Sequence, residues 1–208
     1  MLQRDTEPPL SERQRKMVDE AEKSCIRMVA LINELSEISK LDAGLAAVTA
    51  ERFDLFDMVR DVAGGVHDAE DRGVRIDVRT DGAAAPMHGD LTRLRAAIAV
   101  TLRAIAREQP SATIVVADCR RVVRSGAEEA RVVVAPAADA EAAREASEGP
   151  FDDKRGGLGL ALPIARRVLE RHGGRIWSPR LGASSESSET SAGRGALVVS
   201  IPLLEQSR

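Results

Sequence analysis

Gly156, Gly157 and Gly159 follow Lys154 and Arg155 and lead into an apolar-striped helical pattern. A glycine-rich turn ahead of a helix can bring backbone N–H groups close to an anion, and the same composition also makes an ordinary flexible loop. Standing alone, these glycines default to the loop. His67, His88 and His172 are the candidates for acid–base work or for carrying a phosphoryl group. His67 lies among Asp68, Glu70 and Asp71 and His88 precedes a turn, so both read as solvated side chains. His172 closes a helical stretch ahead of Gly173-Gly174, where an imidazole suits the helix dipole. Cys25 and Cys119 make neither a disulfide framework nor a metal cluster, and Cys25 reads as a small core residue on an apolar seam. Arg120, Arg121 and Arg124 read as a solvated hairpin edge, and Arg166, Arg167 and Arg171 as the exposed side of a helix.

The elements that must position these residues come from a chain of 208 residues, long enough for one domain with something attached or for two small ones. Hydrophobic residues make up 43% and charged residues 30%, which supports a packed core and argues against wholesale disorder. The aromatics are Phe53, Phe56, Phe151 and Trp177, with no tyrosine, so a nucleic-acid module built on stacking platforms is poorly supported. A net charge of −3, from 30 basic and 33 acidic residues, supplies no field to draw DNA or an anionic membrane. No apolar run approaches ~18 residues and no signal peptide opens the chain, so the expectation is a soluble, cytoplasmic protein without membrane contact.

Ser11 starts a helical pattern in which Met17, Ala21, Ser24, Met28, Leu31, Leu35 and Ile38 alternate spacings of four and three. Val18, Cys25, Val29 and Ile32 widen that seam, which runs to Leu41 with Gly44 as the expected C-cap. Such a helix of about thirty residues spans ~45 Å, too long to bury itself on a compact domain, and its stripe calls for a bundle or coiled coil. Short strands and helices follow. Glu51 to Leu55 is β-like, Phe56 to Arg72 helical with a break at Gly64-Gly65, and Val74 to Arg79 a half-buried strand ending at the Asp81-Gly82 turn. Asp90 is an N-cap for a helix carrying Leu91, Leu94, Ile98, Leu102 and Ile105. Ala112 to Asp118 and Ala130 to Ala135 read as adjacent strands with a hairpin turn at Ser125-Gly126. Ala137 to Gly149 reads as a weakly packed helix or a mobile loop, and Leu158 to His172 as a well-patterned helix. Arg175 to Ser178 and Ala196 to Ile201 are the last strands, with a Ser- and Glu-rich stretch, Ser184 to Gly193, expected to be disordered between them.

Several of these segments carry a further pattern. The long helix ends Leu35-Ser36-Glu37-Ile38-Ser39-Lys40-Leu41-Asp42-Ala43-Gly44, and Phe53-Asp54-Leu55 follows it. Next come Gly89-Asp90-Leu91-Thr92-Arg93-Leu94, then Gly149-Pro150-Phe151. Gly156-Gly157-Leu158-Gly159-Leu160 follows, continuing through Arg166 and Glu170 to His172-Gly173-Gly174. In this order, from Ser11 to Leu203, they resemble the core of bacterial sensor histidine kinases. The first matches the second helix of the dimerisation and phosphotransfer hairpin, and the second the entry to the ATP-binding domain. The others match the start of the asparagine-box helix, the phenylalanine box and the second glycine box. Phe151 is then either a lid anchor or an ordinary core phenylalanine.

The resemblance implies ATP held between the sheet and a lid, with Mg²⁺ neutralising the phosphates and the γ-phosphate passing to a histidine. Gly157, Leu158 and Gly159, with charge from Lys154 and Arg155, would form the cofactor-binding segment if nucleotide binds, helped by the dipole of the following helix. The sequence departs from the family elsewhere. The metal-binding asparagine belongs about ten to fourteen residues after the aspartate matched by Asp90, but Val100 to Arg107 contains none. Where the first glycine box should follow the strand Arg131 to Val134, the chain reads Ala135-Pro136-Ala137-Ala138-Asp139-Ala140. Asp139 is at best a shifted replacement, and Arg155 stands where a glycine is usual. No histidine lies on the long helix, so the acceptor helix would precede residue 1 and the chain looks truncated at a hairpin loop. No catalytic residue and no metal ligand is assigned.

The expected fold is α+β: a long N-terminal bundle or coiled-coil helix (residues 1–45), then a Bergerat-type α/β sandwich (46–208) of mixed sheet covered by about three helices. The leading functional reading is a two-component signalling protein with a degenerate ATP and Mg²⁺ site. It would act as a homodimeric docking or phosphorelay scaffold for a response-regulator receiver domain. The alternative is a working histidine kinase with a divergent pocket. A non-kinase ATPase of the same superfamily ranks lower, because such proteins keep the aspartate and glycine box missing here.

Overall fold

The computed structural model describes residues 11–22, 25, 29, 36, 49–67, 70–181 and 195–203. The Pro8-Pro9 lead-in, the Gly44 cap and the Ser184 to Gly193 stretch lie outside the described residues.

Helix α1 covers residues 12–22, and positions 25, 29 and 36 are helical as well. Its start is a reciprocal box: Ser11 Oγ accepts from the Gln14 N–H at 3.3 Å, while Gln14 Oε1 accepts from the Ser11 N–H at 3.0 Å. Met17, Val18 and Val29 are exposed. Cys25, expected in a core, is exposed too, since no described part of this chain covers the seam.

The α/β body is built from β1 (Ala50–Asp54), α2 (Leu55–Ala63), β2 (Arg75–Thr80), β3 (Pro86–Asp90), α3 (Leu91–Glu108), β4 (Ile114–Arg124) and β5 (Ala127–Pro136). It continues through α4 (Ala140–Glu145), β6 (Glu148–Gly149), α5 (Ala161–Arg171), β7 (Arg175–Pro179) and β8 (Leu197–Pro202). β1 and β3 form a two-stranded antiparallel ribbon. The main sheet has the order β2-β4-β5-β8-β7-β6, with β2 and β4 parallel and every other pair antiparallel.

Strand alternation divides the core. Val115, Val132, Val134, Leu197, Val199 and Ile201 face Leu55, Phe56, Leu94, Ile98, Leu102, Leu162 and Leu169 from helices α2, α3 and α5. The intervening residues Val116, Val133, Ala135 and Val198 meet Trp177, Ala140 and Ala143 on the other face. Strands buried on both faces read as continuous apolar runs, which is why these segments lack a polar beat.

Several boundaries differ from expectation for local reasons. The helix expected over Phe56 to Arg72 stops at Ala63, and Glu70–Arg72 is a separate short 3-10 turn. The central hairpin is longer than its apolar run, because its outer half is held by charge, including the Arg121–Glu128 pair. Its Ser125-Gly126 turn has φ of 51° and 85°, the mirror-type turn that matches strand twist. His88, expected ahead of a turn, lies within β3 and is exposed. Residues 137–149 hold α4 and β6, and α4 packs Ala140 and Ala143 into the second core.

Candidate functional site at the glycine-rich segment

Helix α3 starts where sequence places it. Asp90 Oδ1 accepts from the Arg93 N–H at 3.0 Å, and Oδ2 lies 3.2 Å from Arg93 Nη1. The same aspartate anchors a link to α5. His172 Nε2 lies 3.0 Å from the Asp90 N–H and Nδ1 lies 2.7 Å from the Val168 carbonyl. One partner only donates and the other only accepts, so Nε2 accepts from Asp90 and Nδ1 donates to Val168. His172, at the end of α5, is thus a structural bridge between two helices. Gly89 makes room for it, since a Cβ there would lie 2.6 Å from His172 Cδ2.

The last two turns of α3 face the glycine-rich segment. Ala104 is buried and Val100 half-buried, and neither carries a side-chain oxygen. Residues Arg155–Gly157 form a 3-10 turn against this surface, with φ near +60° at Gly156, Gly157 and Gly159. Those backbone angles are not helical, so α5 begins at Ala161 and not at Leu158. Gly156 lies directly on α3: a Cβ there would fall 2.8 Å from Ala104 Cα and 3.0 Å from its carbonyl oxygen. At Gly157 and Gly159 a Cβ would meet nothing within 4 Å.

The predicted site residues divide accordingly. Lys154 is exposed, and Leu158 is half-buried against the main core. Arg155, expected to lend charge to a phosphate, is buried and already engaged. Its Nε and Nη2 donate to Glu108 at 3.2 and 2.6 Å, and its Nη1 donates to Ser178 Oγ at 3.1 Å and the Ala196 carbonyl at 2.6 Å. Glu108 and Ser178 are neighbours of this segment that the sequence does not point to directly. The available signal was an arginine in a glycine's usual place, which needs a counter-ion once buried. Upstream, Phe151 packs against the main core and lies 5.8 Å from the Arg166 guanidinium. Arg166 also pairs with Glu170 at 2.8 Å and Asp153 at 3.8 Å. The Glu170 hydrogen bond, more than Asp153, raises the Arg166 pKa.

Asp139 does not join this surface. It is exposed and precedes α4, which packs on the sheet face opposite α3. A separate cleft of about 220 Å³ lies between the start of α2 and the β2–β3 connection, lined by Asp54, Phe56, Asp57, Arg60, Thr80 and Gly82 among others. Asp54 is already committed there: Oδ1 accepts from Phe56 N–H at 2.8 Å and Oδ2 from Ala85 N–H at 2.7 Å. Cys119, paired with Thr80 across the sheet, is buried, and desolvation, aided by the Asp118 carboxylate, pushes its thiol up to about 12. Among the described residues no cluster of three or more His, Cys, Asp or Glu is placed to hold a metal. No helix among them is long and apolar enough to cross a membrane.

No protein-family model and no curated protein sequence matches the chain. Solved structures do. Full-length ShkA in complex with AMPPNP superposes with a TM-score of 0.63 at 19% identity, over 94% of this chain and 40% of that one. Histidine kinase ThkA in complex with the response regulator TrrA gives 0.61 at 17% identity, over 97% of this chain and 55% of that one. The Acinetobacter baumannii histidine kinase AdeS gives 0.58 at 13% identity, over 96% and 88%. The chain thus spans about two fifths of the ShkA structure. Likeness at such identities speaks for fold, and the fold of this chain is that of the sensor histidine kinase core.

Proposed function

We propose that the chain is a two-component signalling module of histidine kinase type whose nucleotide site is degenerate, so that it works through its surfaces. The observation that carries this reading is the close approach of Gly156 to the Ala104 backbone, where a Cβ on Gly156 would lie 2.8 Å from Ala104 Cα. The residues present do not fit Mg-ATP held at that contact. Val100 and Ala104 offer the metal no oxygen, and the guanidinium of Arg155 is turned to Glu108. The role that remains is a dimeric docking or phosphorelay scaffold for a receiver domain. The ThkA structure contains a response regulator, which supports a partner of that class. Met17 and Val18 on α1 and Val29 beyond it, all exposed, supply apolar positions for a second copy.

A second reading, an ATP-dependent histidine kinase with a divergent pocket, draws on one observation: Gly157 and Gly159 face open space ahead of α5. One experiment separates the two. Calorimetric titration of the chain with Mg-ATP is expected to give no binding heat up to millimolar nucleotide. Micromolar binding would sink the degenerate reading and favour the kinase.

A further inference from the structure

We propose that Arg155 and Glu108 form an internal latch that holds the glycine-rich segment shut on α3. Glu108, the last residue of α3, has both carboxylate oxygens occupied. Oε1 accepts from Arg155 Nε and from the Gly156 N–H, each at 3.2 Å, and Oε2 accepts from Arg155 Nη2 at 2.6 Å. The remaining guanidinium nitrogen reaches Ser178 on β7 and the Ala196 carbonyl just before β8. One side chain thus joins the segment to α3, to β7 and to the residue that leads into β8. Its forked geometry uses all three guanidinium nitrogens, which a lysine in the same place would not reproduce.

The pair is well removed from water, with the Arg155 side chain 4% exposed and that of Glu108 22%. A buried pair is costly to break on one side, because the remaining charge is left without compensation. Closure is tight: Gly156 touches the Ala104 backbone, so no group the size of a phosphate fits between them. The upstream end is fastened separately, by Arg166 against Phe151 and Asp153. Arg155 therefore supplies from within the chain the cationic and hydrogen-bonding contacts that would otherwise close such a segment around an anion. The inference builds on the degenerate-site reading by naming what keeps the segment shut.

Native-state hydrogen exchange on the full chain tests the latch. In Glu108→Gln, the amides of Gly156 and Gly157 are expected to exchange at least ten-fold faster, while amides at the centre of α3 and in β5 keep their rates. Arg155→Lys, which keeps the charge and loses the fork, is expected to give a smaller local acceleration. If Glu108→Gln does not fold, the double variant Glu108→Met with Arg155→Met removes both charges at similar volume and is expected to open the same amides. Unchanged exchange at Gly156, or acceleration only in step with the whole sheet, overturns the latch. A parallel Mg-ATP titration keeps the two proposals apart. Binding by the opened variant alone overturns the degenerate-site reading, and micromolar binding by the unaltered chain overturns it as well. Neither result changes what the exchange rates decide.

Discussion

His172 shows how a single ring is assigned by its neighbours. Its Nε2 takes the Asp90 N–H and its Nδ1 gives to the Val168 carbonyl, so one imidazole closes two backbone groups at a helix–helix junction. Neither hydrogen bond involves a substrate-like cleft, and the role follows from geometry alone. Replacing His172 with alanine leaves the Asp90 N–H without its partner in a half-buried position. The expected loss is about 1–3 kcal/mol of unfolding free energy, read from urea denaturation with an unchanged m-value. A loss below a few tenths would show that water replaces the ring at no cost. The sequence places His172 correctly at a helix end, but its partner lies 82 residues away. No local pattern connects Gly89, Asp90 and His172, so the helix end is legible in the sequence and the bridge is not.

Elements with strong local codes were legible, and those decided by distant contacts were not. Asp90 announced α3, and Ser125-Gly126 announced the hairpin, because a cap and a mirror-type turn each need particular residue types at fixed offsets. The segment over 137–149 gave no such code. Its helix exists because Ala140 and Ala143 find an apolar sheet face that only the β4–β5–β8–β7 arrangement creates. Short β6 is held likewise by tertiary charge: Glu148 lies 2.6 Å from Arg175 on β7 and 3.1 Å from Arg124 at the end of β4. The Arg175 hydrogen bond, ahead of the charges of Arg175 and Arg124, holds the Glu148 carboxyl below its ordinary 4.5. A carboxyl depressed in the folded state stabilises above its unfolded pKa, and the contribution fades as pH falls through the folded value. Glu148→Gln is therefore expected to melt lower than the unaltered chain at pH 7, and the gap to close from about pH 4.5 downward. The difference is small, because both side chains of the pair are partly exposed. A gap that persists unchanged at pH 3 would show that Glu148 acts by packing and not by charge.

At the scale of the whole molecule, two surfaces remain to be reconciled: a body whose helices and sheet bury their apolar faces, and a helix that does not. Met17 and Val18 on α1 and Val29 beyond it stand 61%, 53% and 57% exposed. Val18, Cys25 and Val29 recur at spacings of seven and four, the pattern of a seam and not of scattered surface residues. Each apolar side chain withdrawn from water contributes about 1.5–3 kcal/mol, so several such residues from two copies offset the loss of freedom on association. The α/β body meets its own needs through its two cores, so association through α1 need not disturb it. Sedimentation of the full chain at tens of micromolar is thus expected to give a dimer. Placing glutamate at both Val18 and Val29 puts like charges along the seam of each copy, and is expected to give a monomer with the same thermal transition for the α/β body. A wild-type monomer at that concentration would remove the dimeric part of the scaffold reading. A dimer indifferent to both glutamates would move the contact off α1 and onto the body, where the solvent-facing sides of α2 and α5 become the surfaces to test.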